Sequence, residues 1–195
     1  ILKPVLDKKN IQLIVDTVSK IDAENNTLQF NEHEPLSYDY LVIATGPKLA
    51  FDEVPGAGPD GFTTSVCTSE HARLAYTEFQ KLLQNPGPIV IGAMPAASCF
   101  GPAYEFAFIV DAELRKRKIR HKYPMTYVSS EPYIGHLGLG GVGDSKSMLE
   151  SDLRHHDIKY ITNAKTTRVE QGKMFVDELN EDGELKKSHE LDFNF

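Results

Sequence analysis

The sequence predicts an α/β fold in which a parallel sheet with helices is followed by an antiparallel β-meander. Three helical patterns alternate with short apolar runs between residues 68 and 161, as is typical of β–α–β units. After residue 161, strand patterns separated by tight turns replace the helices. A third observation is a strand-like stretch at the N-terminus, which predicts that part of a separate domain precedes the α/β region.

The composition excludes several functional classes. The 195 residues carry 21 Lys and Arg against 28 Asp and Glu, a net charge of −7, so no nucleic-acid partner is expected. No apolar run approaches the length of a membrane-spanning helix. Two cysteines are too few for a disulfide-rich secreted scaffold, and they lie too far apart in sequence to predict a structural metal site.

The N-terminal segment, residues 1–55, is predicted to be entirely β. Residues 11–15 have the length of a strand, and residues 17–30 suit a hairpin because Asp and Asn dominate their centre. Residues 38–44 form a nearly continuous apolar run, which is typical of a strand buried on both faces. That strand should end in the small-residue turn at residues 45–47.

The two ends of the chain and a Pro- and Gly-rich stretch predict its organisation. The chain starts at Ile1 without a Met, and residues 191–195 have a strand pattern, so we expect an excised piece of a longer protein. Residues 47–62 show neither helical nor strand periodicity and predict a linker between domains. The expected domains are therefore residues 1–55 and 56–195.

The α/β region divides into elements at clear start and stop signals. Ala75, Phe79 and Leu82 define the buried stripe of a helix that Thr68 or Ser69 should cap. The other predicted elements are helices at residues 102–118 and 145–156, strands at 88–92, 127–130 and 158–161, a hairpin of 166–170 with 173–178, and a strand after residue 183.

The loop after the strand at residues 88–92 is the first candidate binding site, because ligands of doubly wound sheets lie at the carboxyl ends of the strands. A dinucleotide site would read G-x-G-x-x-G, yet only Gly92 is in place and Met94 stands at the second glycine. Glu131 follows the next strand but lies far beyond the usual separation of about 20 residues. Pyridine-nucleotide binding is therefore not expected.

Cys99 occupies the phosphate position of this loop, three residues before Pro102 at the start of the next predicted helix. A helix N-terminus stabilises an anion, so this placement should favour the thiolate and increase its reactivity near neutral pH. The alternative is a buried, inert cysteine that packs as a small hydrophobic residue. The sequence leaves the two interpretations equally open.

Four further residues are candidates for this site. Cys67 precedes a predicted helix, and His71 should lie one turn along the same face, although a surface His beside a structural Cys is favoured. Glu105 is expected in the first turn of the helix after Cys99, where a carboxylate is favoured in any case. His136 lies in a glycine-rich loop after a parallel strand, at the same edge as Cys99, which favours a role in the site.

Four segments carry a resemblance to a known family. Residues 38–46 resemble the strand that closes the FAD domain of two-dinucleotide-binding-domain flavoproteins. Residues 65–71, 92–105 and 130–138 together resemble sulfide:quinone oxidoreductases, in the order of that family. The resemblance implies that residues 1–55 are the C-terminal part of an FAD-binding domain. Residues 56–195 would be a second Rossmann-like domain, incomplete at its C-terminus.

The resemblance implies an enzyme that oxidises hydrogen sulfide to polysulfide and passes two electrons through FAD to a quinone, without NAD(H). Cys99 matches the redox-active cysteine that carries the growing polysulfide, and Cys67 matches a second family cysteine. His71, Glu105 and His136 match residues that handle protons near the flavin or the quinone. The FAD contacts would come from a four-residue segment, which comprises Ala44, Thr45, Gly46 and Pro47.

The resemblance also implies parts that this chain does not contain. The FAD-binding glycine loop would lie before Ile1, and the sulfur-bridge partner of Cys99 would lie after Phe195. The quinone pocket and the segments that dock on a membrane surface would also follow residue 195, so the intact enzyme would be a peripheral membrane protein. The chain alone is expected to be soluble and inactive, and assembly into a homo-oligomer stays open.

Three alternatives remain at this point. A type-II NADH:quinone oxidoreductase shares the two-domain layout but needs NADH, which Met94 and Pro95 disfavour. A flavocytochrome sulfide dehydrogenase would pass its electrons to a haem protein instead of a quinone. A flavoprotein-like interaction module would contain an inert thiol at Cys99.

Overall fold

The computed structural model describes residues 2–97 and 99–195, so Ile1 and Ser98 of the cysteine motif lie outside the described residues. The chain divides into two units, one ending at Lys48 and the other spanning Leu49–Phe195. Within the described residues, no helix is both long and apolar enough to cross a membrane.

The N-terminal unit contains the predicted hairpin. Strand β1 (Val18–Asp22) pairs antiparallel with β2 (Thr27–Phe30), and β2 pairs with the short β3 (Leu36–Ser37). The prediction of β structure throughout is wrong, because helix α1 (Lys3–Asp7) forms instead. Pro4 near its start and the Lys3–Asp7 ion pair across one turn both favour that helix.

Two other strand predictions in this unit are also wrong. Residues 11–15 form no strand, and residues 38–44 are irregular, with Tyr40 94% and Val42 85% exposed. An apolar run without a period indicates that its side chains suit burial, but not what would bury them. In the described residues of this unit, the three-stranded sheet provides no partner strand for either segment.

The second unit begins with a short 3₁₀ helix, Phe51–Glu53, followed by helix α2 (Ser69–Gln84). Thr68 caps α2, as predicted, because its hydroxyl accepts a hydrogen bond from the His71 N–H at 3.1 Å. The helix ends before Asn85, and its predicted stripe includes the buried Ala75 and Leu82.

The predicted parallel sheet is present. Strand β4 (Ile89–Ala93) pairs with β5 (Met125–Ser129), and β5 pairs with β6 (Ile158–Ile161), in the order β4-β5-β6. Helix α3 (Gly101–Lys116) connects β4 to β5, and helix α4 (Ser145–His155) precedes β6. Each strand is thus followed by a loop at the carboxyl edge of the sheet.

The core lies between this sheet and its helices. Leu114 of α3, Tyr127 of β5 and Leu153 of α4 are fully buried in one apolar cluster. Helix α3 begins one residue earlier and ends two residues earlier than predicted, with Arg115 and Lys116 in its last turn. These cations lie where the helix dipole favours them.

The antiparallel meander follows as predicted. Strands β7 (Ala164–Glu170), β8 (Lys173–Leu179) and β9 (Leu185–Asp192) pair in sequence order. The strand predicted at residues 191–195 is only partly correct, because β9 ends at Asp192. The chain then runs beside β4, where Asn194 N–H donates to the Pro88 carbonyl at 2.7 Å and Val90 N–H donates to the Phe195 carbonyl at 2.8 Å.

Candidate functional site

Two loops meet at the carboxyl edge of the parallel sheet. Residues 94–100 follow β4 and residues 130–144 follow β5, and the two strands are paired in register from Ile89 with Met125 to Ala93 with Ser129. Because parallel strands end at the same edge, the topology brings the Cys99 loop and the His136 loop to one side of the sheet, as predicted.

Cys99 is exposed and lies one residue before Phe100, the N-cap of α3. Phe100 is buried and holds the end of the loop against the core, while the neighbouring Cys99 is exposed. Among the described residues no side chain caps this helix end. Cys99 therefore lies beside the positive end of the α3 dipole, which favours an anion. The prediction that Cys99 is buried is wrong for this chain, whereas the reactivity of its thiol stays a prediction.

Cys67 and His71 are not related by one helical turn as predicted. Cys67 is exposed and lies before Thr68, whose backbone is extended, so only His71 belongs to α2. The His71 ring contacts Phe51 at a centroid distance of 5.9 Å, and its Nδ1 is buried without a hydrogen-bond partner among the described residues. The spacing rule fails because it applies only to two residues inside a helix.

Glu105 is exposed on α3, but not in its first turn. The helix begins at Gly101, which makes Glu105 its fifth residue and places it beyond the turn that the dipole affects most. The prediction placed the start at Pro102, whereas Pro102 is the second helical residue here. Within the described part of the chain, none of the five candidate side chains forms a hydrogen bond with another.

His136 lies in a loop with an ordered backbone. Its N–H donates to the Tyr133 carbonyl at 3.2 Å, and its own carbonyl accepts from Gly141 at 2.8 Å. The rings of His136 and Tyr133 meet edge to face at 5.2 Å. The backbone of this loop explains why it is rich in glycine, since glycine adopts positive φ at little cost. Five residues of the loop have positive φ and are glycine: Gly135, Gly138, Gly140, Gly141 and Gly143.

Sequence reasoning missed a buried pair that connects α3 with this loop. Tyr104 and Glu131 are 3% and 1% exposed, and the Tyr104 hydroxyl donates to Glu131 Oε2 at 2.7 Å. Ser129 Oγ donates to the same oxygen at 2.7 Å. Burial, with the Glu131 carboxylate as a further cause, raises the pKa of Tyr104 above its ordinary value, so the phenol stays protonated and can donate.

A sequence signal for this pair existed. Tyr104 shares a helical stripe with Ala107, Asp111 and Leu114, all buried, at spacings of three and four residues. Glu131 lies two residues after Ser129, the buried end of β5, where a carboxylate must find donors. Glu131 does not serve as a ribose ligand here, because both of its carboxylate oxygens accept hydrogen bonds within the protein.

The predicted FAD contacts, Ala44 to Pro47, lie in the N-terminal unit and are exposed. Gly46 has φ +74°, and no described atom lies within 4 Å of the position of an added Cβ. This segment of small residues leaves its backbone open to close approach, which is what a cofactor that contacts the main chain needs. The residues present therefore fit such a group.

Comparison with known proteins points to one family, although no protein-family model matches the sequence. The chain is 46% identical over 179 residues to sulfide-quinone reductase of Aquifex aeolicus (strain VF5), which covers 92% of this chain and 41% of the relative. It is 29% identical over 128 residues to the mitochondrial sulfide:quinone oxidoreductase of Dictyostelium discoideum, covering 63% of this chain and 28% of that protein. The chain thus spans less than half the length of these relatives.

The fold agrees with this relationship. The crystal structure of the Aquifex aeolicus sulfide:quinone oxidoreductase matches 100% of this chain and 43% of its own, with a TM-score of 0.85 and 44% identity. A ferredoxin reductase from Rhodopseudomonas palustris matches with a TM-score of 0.60 at 17% identity, which shows a common fold alone. By its sequence and by its α/β fold of two-dinucleotide-binding-domain flavoproteins, the chain belongs to the sulfide:quinone oxidoreductase family.

Proposed function

We propose that the protein of which this chain is part oxidises hydrogen sulfide to polysulfide and delivers the electrons to a quinone. The observation that carries the proposal is the exposed thiol of Cys99 at the start of α3, on the same sheet edge as His136. A reactive thiol needs both access and a positive environment, and this position offers both. The relationship to sulfide:quinone oxidoreductases supplies the substrate classes.

Cys99 would be the residue that carries sulfur. Hydrosulfide attacks a sulfur bridge between Cys99 and a cysteine outside this chain, which forms a persulfide and releases a thiolate as the leaving group. The N-terminus of α3 stabilises whichever anion remains on Cys99. His136 would exchange protons with sulfide or with the reduced quinone, and Glu105, exposed on α3, would do so from the solvent side.

Cys67 and His71 form a second part of the proposal. The exposed Cys67 thiol would take up sulfur transiently, and His71, with its buried and unused Nδ1 among the described atoms, would serve as a proton acceptor near α2. The backbone of Ala44 to Pro47 would contact FAD, which when bound supplies the two-electron acceptor between sulfur and quinone. Residues 1–55 would belong to the FAD-binding domain and residues 56–195 to the second Rossmann-like domain.

The partners follow from the same proposal. The whole protein would meet a membrane-dissolved quinone as a peripheral membrane protein, docked through segments beyond residue 195. Its other substrates would be hydrogen sulfide and polysulfide, and it could assemble as a homo-oligomer. NADH is not the proposed donor, for two reasons. Met94 replaces the second glycine of the dinucleotide pattern that begins at Gly92, and the Glu131 carboxylate is hydrogen-bonded within the protein.

The test is the Cys99→Ser variant of the whole FAD-loaded protein. Sulfide should bleach the flavin absorbance of the parent protein, and the variant should lose this response, because a hydroxyl cannot form the sulfur bridge. Met148→Ser, which removes an exposed sulfur from α4 (59% exposed), is the matched control and should respond as the parent does. Normal sulfide oxidation by the Cys99 variant would refute the proposal.

A second arm separates the related activities. NADH in place of sulfide should leave the flavin oxidised, and a soluble quinone should reoxidise sulfide-reduced enzyme faster than a c-type cytochrome does. Rapid bleaching by NADH would instead favour the type-II NADH:quinone oxidoreductase alternative. Preference for the cytochrome would favour a flavocytochrome-type acceptor.

A further inference from the structure

We propose that Tyr104 and Glu131 form a positioning pair, which holds the His136 loop against the start of α3, next to Cys99. The effect on turnover rests on the proposed function, whereas the effect on the loop does not. The pair touches neither thiol among the described contacts, so its role is to orient other residues rather than to react.

The pair binds the loop on both sides of His136. Gly135 N–H donates to the Tyr104 hydroxyl at 3.1 Å, and Leu137 N–H donates to Glu131 Oε1 at 2.7 Å. The residues immediately before and after His136 are thus both hydrogen-bonded to the pair. These two bonds fix the backbone position of His136 without using its side chain.

The same pair is joined to α3 through Tyr104, which lies five residues after Cys99 and one turn into the helix. Its N–H donates to the Phe100 carbonyl at the N-cap. Tyr104 is also stacked on Tyr127 of β5 at a centroid distance of 4.4 Å, so its hydroxyl has little freedom to move. The buried Tyr104 side chain therefore links the start of α3, the sheet and the His136 loop.

The backbone conformation of the His136 loop explains why the Tyr104–Glu131 pair is needed to hold it. Leu137 has φ +56°, which is costly for a bulky side chain and persists only where the surroundings enforce it. The bond to Glu131 is made by this same residue. Gly135 is held on its other side as well, because its carbonyl accepts from Ser145 Oγ at 2.7 Å, and an added Cβ would lie 2.6 Å from the Ser145 carbonyl oxygen.

The partners of Glu131 are neutral hydroxyl and amide groups, namely Tyr104, Ser129 and the Leu137 backbone. Bonds from neutral donors to a buried carboxylate are short and directional, so they favour one geometry of the loop. A carboxylate that served only to neutralise charge would be paired with a cation.

Tyr104→Phe tests the proposal in the whole FAD-loaded protein, with Tyr127→Phe as its matched control. Tyr104→Phe removes one hydroxyl from the aromatic stack and leaves Gly135 N–H without an acceptor. Tyr127→Phe removes the neighbouring hydroxyl, which forms no hydrogen bond among the described residues. We expect amide hydrogen exchange in peptides spanning residues 133–141 to become about 10- to 100-fold faster in Tyr104→Phe and to stay unchanged in Tyr127→Phe.

Turnover provides the second readout. Because His136 would then sample misplaced positions, kcat for sulfide-dependent quinone reduction should fall about 10- to 100-fold in Tyr104→Phe. The acid or alkaline limb of the pH profile of kcat should also shift, while the KM for sulfide should change little. A destabilised but correctly positioned site would keep the parent pH profile. That outcome, or loop exchange equal to that of the parent, would overturn the proposal.

The two proposals fail separately. If the parent protein does not oxidise sulfide, the proposed function is wrong, yet exchange at residues 133–141 still tests the pair. If sulfide oxidation is normal in both Phe variants and their exchange is identical, the positioning pair is wrong while the proposed function stands. An equal increase in exchange in both variants would also refute it, because the Tyr104 hydroxyl would then have no special role.

Discussion

Two buried carboxylates contact opposite halves of helix α3, and they are satisfied in opposite ways. Glu131, at the carboxyl edge of the sheet, accepts hydrogen bonds from neutral groups of Tyr104, Ser129 and Leu137. Asp111, in the C-terminal half of α3, accepts from Arg115 and Arg120, and it contacts His156 at 2.5 Å. Both residues are almost completely buried, at 1% and 0% exposure.

The Asp111 cluster belongs to the amino edge of the sheet. Arg120 also donates to the carbonyls of Tyr123, which precedes β5, and of His156 and Asp157, which precede β6. Burial alone would raise the pKa of Asp111, but the hydrogen bonds from Arg115, His156 and Arg120 outweigh it, and the pKa is lowered. The cluster therefore fixes helix ends to strand starts.

The difference separates stability from function. At the amino edge, Arg115 and Arg120 neutralise the Asp111 carboxylate, and the resulting ion cluster holds α3 to the starts of the neighbouring strands. At the carboxyl edge, a carboxylate is left without a cation among its described partners, and its bonds orient a loop that carries a candidate site residue. This division agrees with the rule that ligands of α/β sheets bind at the carboxyl ends of the strands.

The largest effect is expected from Asp111→Asn. The Asn amide keeps one oxygen acceptor, but its N–H groups point at the guanidinium donors, which cannot accept a hydrogen bond. The substitution also leaves Arg120 without its counter-charge, although its side chain is only 11% exposed. The free energy of unfolding should fall by about 3 kcal/mol. This value is at the lower end of the range for breaking a buried ion pair, because Arg115 and His156 are partly exposed to solvent. Urea denaturation of the whole protein measures this loss; an unchanged midpoint would refute it.

The pH dependence of stability should identify Asp111 as the source. Because its pKa is lower in the folded than in the unfolded protein, its contribution is fully present above the unfolded value of about 3.9 and is lost as the pH falls through the folded value. The parent protein should therefore lose stability more steeply below about pH 4 than Asp111→Asn does. Parallel acid limbs, measured by urea midpoints at successive pH values, would contradict this assignment.

A smaller loss of stability is expected from Glu131→Gln. The Tyr104 and Ser129 hydroxyls can rotate to accept from the new amide, whereas the guanidinium groups around Asp111 cannot accept at all. The free energy of unfolding should fall by about 1 to 2 kcal/mol, less than in Asp111→Asn. A loss as large as that of Asp111→Asn, in the same urea experiment, would mean that the two carboxylates are equivalent.

The smallest effect is expected from Tyr127→Phe. The Tyr127 hydroxyl is buried and without a hydrogen-bond partner among the described residues, so its removal should change stability by less than about 1 kcal/mol, toward higher stability. Thermal unfolding of the variant beside Tyr104→Phe provides the measurement. A loss in Tyr127→Phe that matches the loss in Tyr104→Phe would show a hidden partner for this hydroxyl.

Much of the second unit could be predicted from the sequence because its signals are local. Thr68 caps α2, and the three parallel strands lie within one or two residues of the apolar runs that predicted them. The turns at Gly172 and Gly183 come just before β8 and β9. The N-terminal unit was predicted less well. Its apolar run at residues 38–44 carries no information about a partner, and this segment stays irregular and exposed.

The candidate site shows the same division. Residue types and loop positions were sufficient to place Cys99 and His136 in loops at one edge of the sheet, since helix starts and strand ends can be recognised within a short window. The spacing of Cys67 and His71 was misleading, because the rule for one helical turn was applied to a residue that lies before the N-cap Thr68. The roles of Tyr104 and Glu131 needed contacts between residues 27 apart in the chain.

The sequence by itself determined the order of the elements, the parallel sheet with its meander, the loop that holds Cys99, and the family that the motifs indicate. Only the tertiary structure decided that both thiols are exposed, that Glu131 is bound by neutral groups and Asp111 by cations, and that His136 is held on both sides. The reason is physical. Propensities, caps and turns depend on neighbours in sequence, whereas burial and the partners of a buried polar group depend on which distant residues the fold brings together.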